Sequence, residues 1–278
     1  MLQSTLQHNR RLSSGLETLR LVMESDDVSF IFLHGFLGRA ETRIAGHTFE
    51  YFRGLNAVVA EAGVDAYAPQ MPLKTGIEDR ALNVRPLLST LTTPHIVLVG
   101  VSMGGLVARA LASRHDPACR VRSVVTIATP HRGSPLADRM LAGDSWLPGF
   151  LVDQFRPALH DLTLAEAKTF NARTPDRPDV SYHSWAFARD DAEMPPLFKK
   201  RQQRIFALEG PNDGLVSVHS ATWGKFMGTE RADHLECIGW SPAFANKDIG
   251  RPYNQMALWR RVIETGLGCV GKFKPYPP

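Results

Sequence analysis

Cysteine is scarce: Cys119, Cys237 and Cys269 are the three in 278 residues. They are odd in number and form no CxxC pair, so a disulfide framework or a paired-thiol zinc site is not expected and reduced thiols are. Long apolar runs are missing as well. No window approaches the ~18 continuous apolar residues of a membrane span, and the opening MLQSTLQHNRRLSSGLETLRLVMESDD lacks the apolar core of a secretory leader. The expectation is a cytoplasmic protein, with secretion left open through a removed leader or a leaderless route. Nor does charge of one sign gather into a block. The 32 Lys and Arg stand against 28 Asp and Glu, for a net charge of +4. A basic stripe with interleaved aromatics is absent, so no nucleic-acid partner is expected. No internal repeat or low-complexity segment is found.

What the chain does contain is alternation. Residues 30–33 form a short apolar run closed by the glycine-rich HGFLG, which reads as a buried strand and turn. From 52 to 63 the period changes: Phe52, Leu55, Val59 and Ala62 share one helical face, and Gly63 is a natural stop. A second strand is expected over 64–72, ended by Pro72, and a helix over 77–91. A strand at 96–99 then leads into a helix marked by Met103, Leu106, Val107, Ala110 and Leu111. The run 121–130 is another apolar strand. Apolar strands alternating with helices imply a mostly parallel sheet covered on both faces, an α/β fold.

The rhythm breaks over about 131–203. That stretch is too long for a plain connection and too rich in Trp, Leu and Phe for disorder, so it reads as a cap or lid inserted into a single domain spanning 1–278. Alternation is expected to resume with a strand at 204–210, to continue through HLECIGW, and to end in a helix around 256–263. Leu141, Trp146, Leu147, Phe150, Leu151, Val152 and Phe155 form either the apolar face of a mobile lid or the packing surface of the cap.

The chemistry is concentrated in GVSMGG, residues 100–105. Gly-x-Ser-x-Gly between a buried strand and an amphipathic helix is the nucleophile-elbow pattern, in which the turn is tight enough to demand glycine two places before and after the serine. Ser102 is thereby presented at a helix N-terminus, where backbone N–H groups can hold a developing anion. The plainer reading is a glycine-rich turn with an incidental serine. A serine hydroxyl needs a base, and the base needs a carboxylate to orient it, in the chain order Ser, acid, His. Asp213, in an Asn-Asp-Gly turn, is the candidate acid, although Asp-Gly also marks ordinary turns. His234 is the candidate base, 21 positions later. His219 is the rival, disfavoured because six residues is a short path between acid and base loops. His34 precedes the serine and is expected to support its own loop by a hydrogen bond. The backbone N–H groups of Phe36, in HGFLG, and Met103 are the candidate oxyanion donors.

The set HGFLG, GVSMGG, TPHRGS, NDGLVS and DHLE resembles the bacterial triacylglycerol lipases of the α/β-hydrolase superfamily, most of all the Pseudomonas–Burkholderia-like group and its esterase relatives. The motifs span residues 34–236, and YFRGLNAVVAEAGVDAYAP is also similar. The resemblance implies the α/β-hydrolase fold with a cap or lid insertion and Ser102, Asp213 and His234 as a triad. It further implies Phe36 and Met103 as oxyanion donors, hydrolysis of acyl-ester or lipid substrates through an acyl-enzyme, and a mobile lid over an acyl pocket. No cofactor is required. A structural calcium, common in that group, would have Glu236 as its candidate ligand, two residues after the histidine, with no second carboxylate assigned. Arg132, in TPHRGS, belongs either to the site rim or to a surface turn. Within the resemblance, a phospholipase or acyltransferase would use the same triad, and an inactive relative would serve as a binding module. No protein partner is expected.

Overall fold

A computed structural model describes residues 27–38, 41–44, 47–145, 147–240 and 253–271. Strand β1 (Val28–Leu33) is wholly buried and alternates its side chains between two cores. Val28, Phe30 and Phe32 face one, and Ile31 and Leu33 the other. Such two-sided burial is what an apolar run without polar interruption requires. A short antiparallel pair follows, β2 (Glu41–Ile44) and β3 (His47–Glu50). Helix α1 (Leu55–Ala62) then stops at Gly63, whose φ of 63° is the left-handed conformation glycine adopts without a side-chain clash. Strand β4 (Asp65–Tyr67) is shorter than the 64–72 expected. Helix α2 (Ile77–Thr90), strand β5 (His95–Val101), helix α3 (Met103–Arg114) and strand β6 (Val121–Ile127) match the sequence reading closely.

Between β6 and the next strand lie four helices: α4 (Pro135–Leu141), α5 (Gly149–Gln154), α6 (Arg156–His160) and α7 (Leu164–Arg173). Two of them start at hydroxyl caps, Ser134 and Thr163 accepting from the N–H groups of Leu136 and Glu166. Strand β7 (Ser181–Phe187) then returns to the sheet, inside the stretch the sequence assigns to the cap. The strand expected at 204–210 is the last part of helix α8 (Pro196–Glu209). A short α9 (Val218–Ala221) leads to β8 (Lys225–Glu230). HLECIGW holds a single 3₁₀ turn, Glu236–Ile238, rather than a strand. Helix α10 (Gln255–Val270), capped by Asn254, is the last element among the described residues.

The sheet order is β4-β1-β5-β6-β7-β8, and every neighbouring pair is parallel. Helices α2, α3 and α7 contribute to the core on one face, and α1 and α10 to that on the other. All six strands therefore end on one edge, and that edge carries Leu33, Val101, Ile127 and the loops that follow them. Among the described residues no helix is long and apolar enough to cross a membrane. The opening segment read for a leader and the lid candidate Trp146 lie outside the described residues.

Candidate active site

Ser102 sits between β5 and α3 with φ 54° and ψ −130°. A non-glycine residue with positive φ is strained, and such strain persists only where the surroundings over-determine it. They do so here. The Ser102 N–H donates to the Ile127 carbonyl of β6 at 2.8 Å, and the Ser102 carbonyl accepts from Gly105 N–H at 3.0 Å. A Cβ on Gly100 would run into Gly104 and Gly105, and one on Gly104 into the Leu33 carbonyl of β1. The two glycines thus let strand, helix and neighbouring strand come together at the serine.

Two further loops border the same cavity as Ser102. Asn212 folds the Asp213 turn by accepting from Gly214 N–H at 2.9 Å, and Asp213 Oδ1 accepts from the N–H groups of Leu215 and Val216. The other oxygen, Oδ2, lies 2.7 Å from His234 Nδ1. The His234 N–H also donates to the Asp213 carbonyl at 3.0 Å, so main chain and side chain tie the two loops together. Burial opposes a charged His234. The Asp213 charge and hydrogen bond, with Asp233 behind them, nevertheless hold its pKa above the ordinary histidine value. The rival His219 is exposed on α9.

The HGFLG loop is fixed from below. His34 Nε2 accepts from Met71 N–H at 3.0 Å, which makes Nδ1 the protonated nitrogen, 3.1 Å from the Gly35 carbonyl. Burial above all, with the Arg80 cation adding to it, lowers the His34 pKa to about 4 despite that bond. His34 is therefore neutral, in the supporting role the sequence suggests. The Gly35 carbonyl also accepts from Arg80 Nη1 at 3.2 Å and from Gly38 N–H at 3.2 Å. The peptide is trans, so an oxygen held by three donors aims the Phe36 N–H the opposite way. Gly35 N–H itself donates to the Tyr51 hydroxyl at 3.0 Å. Arg80, fully buried on α2, was missed by sequence reasoning, because nothing in its surroundings marks an arginine 45 positions away as part of this loop.

Ser102, Phe36 and His234 line one cavity of about 600 Å³. Its walls include Leu136, Met140, Leu159, Leu162 and Phe198, so an apolar group fits it better than a polar one. Of the lid candidates, Val152 is buried and Leu141, Leu147, Leu151 and Phe155 are half-buried, while Phe150 projects into solvent. The face is largely spent on packing, with Phe155 edge-on to Phe36 at 5.5 Å. Arg132 reaches the carbonyls of His219 and Thr222 and holds α9 in place.

Glu236, the calcium candidate, is engaged by a cation of the chain itself. Arg189 donates Nε and Nη2 to its two carboxylate oxygens, both at 2.8 Å, and Asp233 N–H adds a third bond at 2.8 Å. A calcium ion would have to displace the guanidinium, so these residues do not fit one. Among the described residues no group of three or more His, Cys, Asp and Glu is placed to hold a metal ion.

The family described as alpha/beta hydrolase fold matches residues 80–218. The chain belongs to the α/β-hydrolase fold family. It is 30% identical over 213 residues to Triacylglycerol lipase 2 of Saccharomyces cerevisiae, covering 69% of this chain and 63% of that protein. It thus spans somewhat less than two thirds of that relative. Among solved structures, Staphylococcus hyicus lipase aligns with TM-score 0.68 at 17% identity, covering 88% of this chain and 96% of that one. A metagenomic carboxyl esterase aligns with TM-score 0.67 at 21% identity, over 90% and 76% of the two chains. At such identities the likeness speaks to fold alone.

Proposed function

We propose that this protein is a serine carboxylic-ester hydrolase, a lipase or esterase, with Ser102, His234 and Asp213 as its triad. The observation that carries this is the placement of a strained serine and a carboxylate-bound histidine on one apolar cavity. His234 takes the Ser102 proton as Oγ attacks the ester carbonyl carbon. The carbonyl oxygen becomes an oxyanion held by the Phe36 and Met103 amides, and among the described residues no backbone carbonyl accepts from either. As the carbon–oxygen bond to the alcohol breaks, His234 gives the proton to the leaving oxygen and an acyl-serine remains. Water, deprotonated by the same histidine, attacks this ester and frees the acid and Ser102. Residues of α4 and α6 line the part of the cavity that would take the acyl group, and the name of the yeast relative supports a lipid ester as substrate. The finer likeness to the Pseudomonas–Burkholderia-like group rests on the motifs.

The test is hydrolysis of p-nitrophenyl esters from acetate to palmitate. The wild type turns over, with kcat/KM rising with acyl length until the cavity is filled, since each buried methylene is worth about 0.8 kcal/mol. Ser102→Ala loses about 10⁵-fold or more of kcat. A wild type inactive on every ester, with and without a lipid interface, would point instead to an inactive fold acting as a binding module.

A further inference from the structure

Helix α8, between β7 and β8, has a mixed apolar and basic outer face. Phe198, Gln202 and Ile205 bury its inner side. Leu197 and Leu208, by contrast, are 51% and 66% exposed. Between these two leucines stand Lys200, Arg201 and Arg204. Positions 197, 200, 201, 204 and 208 recur at three- and four-residue spacing, so they form one stripe, about 16 Å long at 1.5 Å per residue. The helix carries four cations, with Lys199, against the single carboxylate Glu209. Lys199, beside the stripe, pairs with Asp191. Within it Arg204 pairs with Asp144 and Arg201 donates to the Leu197 carbonyl, while Lys200 is exposed. At one end the stripe runs into the cavity, because Leu197 and Arg201 line it as well as α8's outer face.

A stripe with a leucine at each end and cations between them suits a surface that is apolar in depth and negative at its boundary. We propose that α8 docks the protein on an anionic lipid bilayer and so sets the cavity mouth against the surface that supplies its substrate. The leucines enter the headgroup–acyl boundary while the cations meet lipid phosphates and other negative headgroups. The proposal rests on the ester-hydrolase reading for the identity of the substrate, but not for the binding itself. It also places contact with lipid on α8 rather than on the 141–155 segment, whose Leu141, Leu147, Val152 and Phe155 pack into a cluster of their own.

Binding is measured by co-sedimentation of the full chain carrying Ser102→Ala with phosphatidylcholine vesicles, with or without phosphatidylglycerol. The silenced serine keeps the vesicles intact and separates this result from the fate of the triad. Binding to the anionic vesicles and little to the neutral ones is expected. Adding Lys200→Glu and Leu208→Ser, both outside the cavity lining, weakens it about tenfold or more. The same two changes in the otherwise wild-type chain leave turnover of a short, dissolved ester unaltered, which also reports that the variant is folded. Equal binding to both vesicle types, or undiminished binding of the variant, overturns the proposal. Failure to bind either vesicle overturns it too, and leaves an acidic protein as the occupant of the stripe.

Discussion

At the scale of single residues, the protonation state of His234 governs the proposed reaction. Only the neutral imidazole can accept the serine proton, and its pKa stands above the ordinary value because Asp213 favours the charged form. Activity is therefore expected to rise with pH through an acid limb lying above 6.5. Asp213→Asn removes the negative charge, so burial prevails and the limb moves to lower pH. The rate at its plateau nonetheless falls, by about 10³- to 10⁴-fold, because the imidazole loses its orientation and the support for its transient charge. A pH profile of kcat/KM for the two proteins reads both effects. An unmoved limb would mean that another group sets it.

At the scale of elements, the oxyanion loop is held by α2 as much as by its own glycines. Arg80 bonds the carbonyls of Gly35, Leu73 and Thr75, and the first of these fixes the direction of the Phe36 amide. Arg80→Met is expected to lower kcat by about 10- to 100-fold with little change in KM, since the ground-state ester carries no developing charge for that amide to meet. Steady-state kinetics on a short ester, with circular dichroism as a check on folding, test this. A change confined to KM would assign Arg80 to substrate binding instead. Such a contact cannot be read from sequence. The elbow could be, because glycines two places either side of the serine encode a steric demand that few other turns make. The strands β5 and β6 were legible as unbroken apolar runs. Strand β7 was not, because Ser181, His183 and Ser184 interrupt its pattern although the interior buries His183 and Ser184. The run at 204–210 misled for the opposite reason: Ile205 to Leu208 is continuously apolar, and a run of that kind has no period to tell helix from strand.

At the scale of the whole molecule, the six-stranded sheet is clamped by two cores, and α10 closes the second. Trp259 lies fully buried there, edge-on to Phe32 at 6.3 Å and Phe52 at 5.9 Å, with its Nε1 donating to the Arg53 carbonyl at 3.0 Å. Trp259→Ala leaves a cavity and an unsatisfied carbonyl, and is expected to destabilise the fold by about 3–5 kcal/mol in urea unfolding. Trp259→Phe restores part of the packing and none of the hydrogen bond, so it falls between the two. A loss below ~1 kcal/mol would mean that the surrounding helices collapse onto the vacated space.

Arg189 has a consequence for where such a chain can work. The loop bearing His234 is braced by a guanidinium on Glu236, and that cation is bonded into the polypeptide. A brace borrowed from solution is diluted, chelated or outcompeted as its surroundings change. A brace carried on a side chain arrives with translation, in fixed stoichiometry, and its supply is independent of the mineral content of the medium.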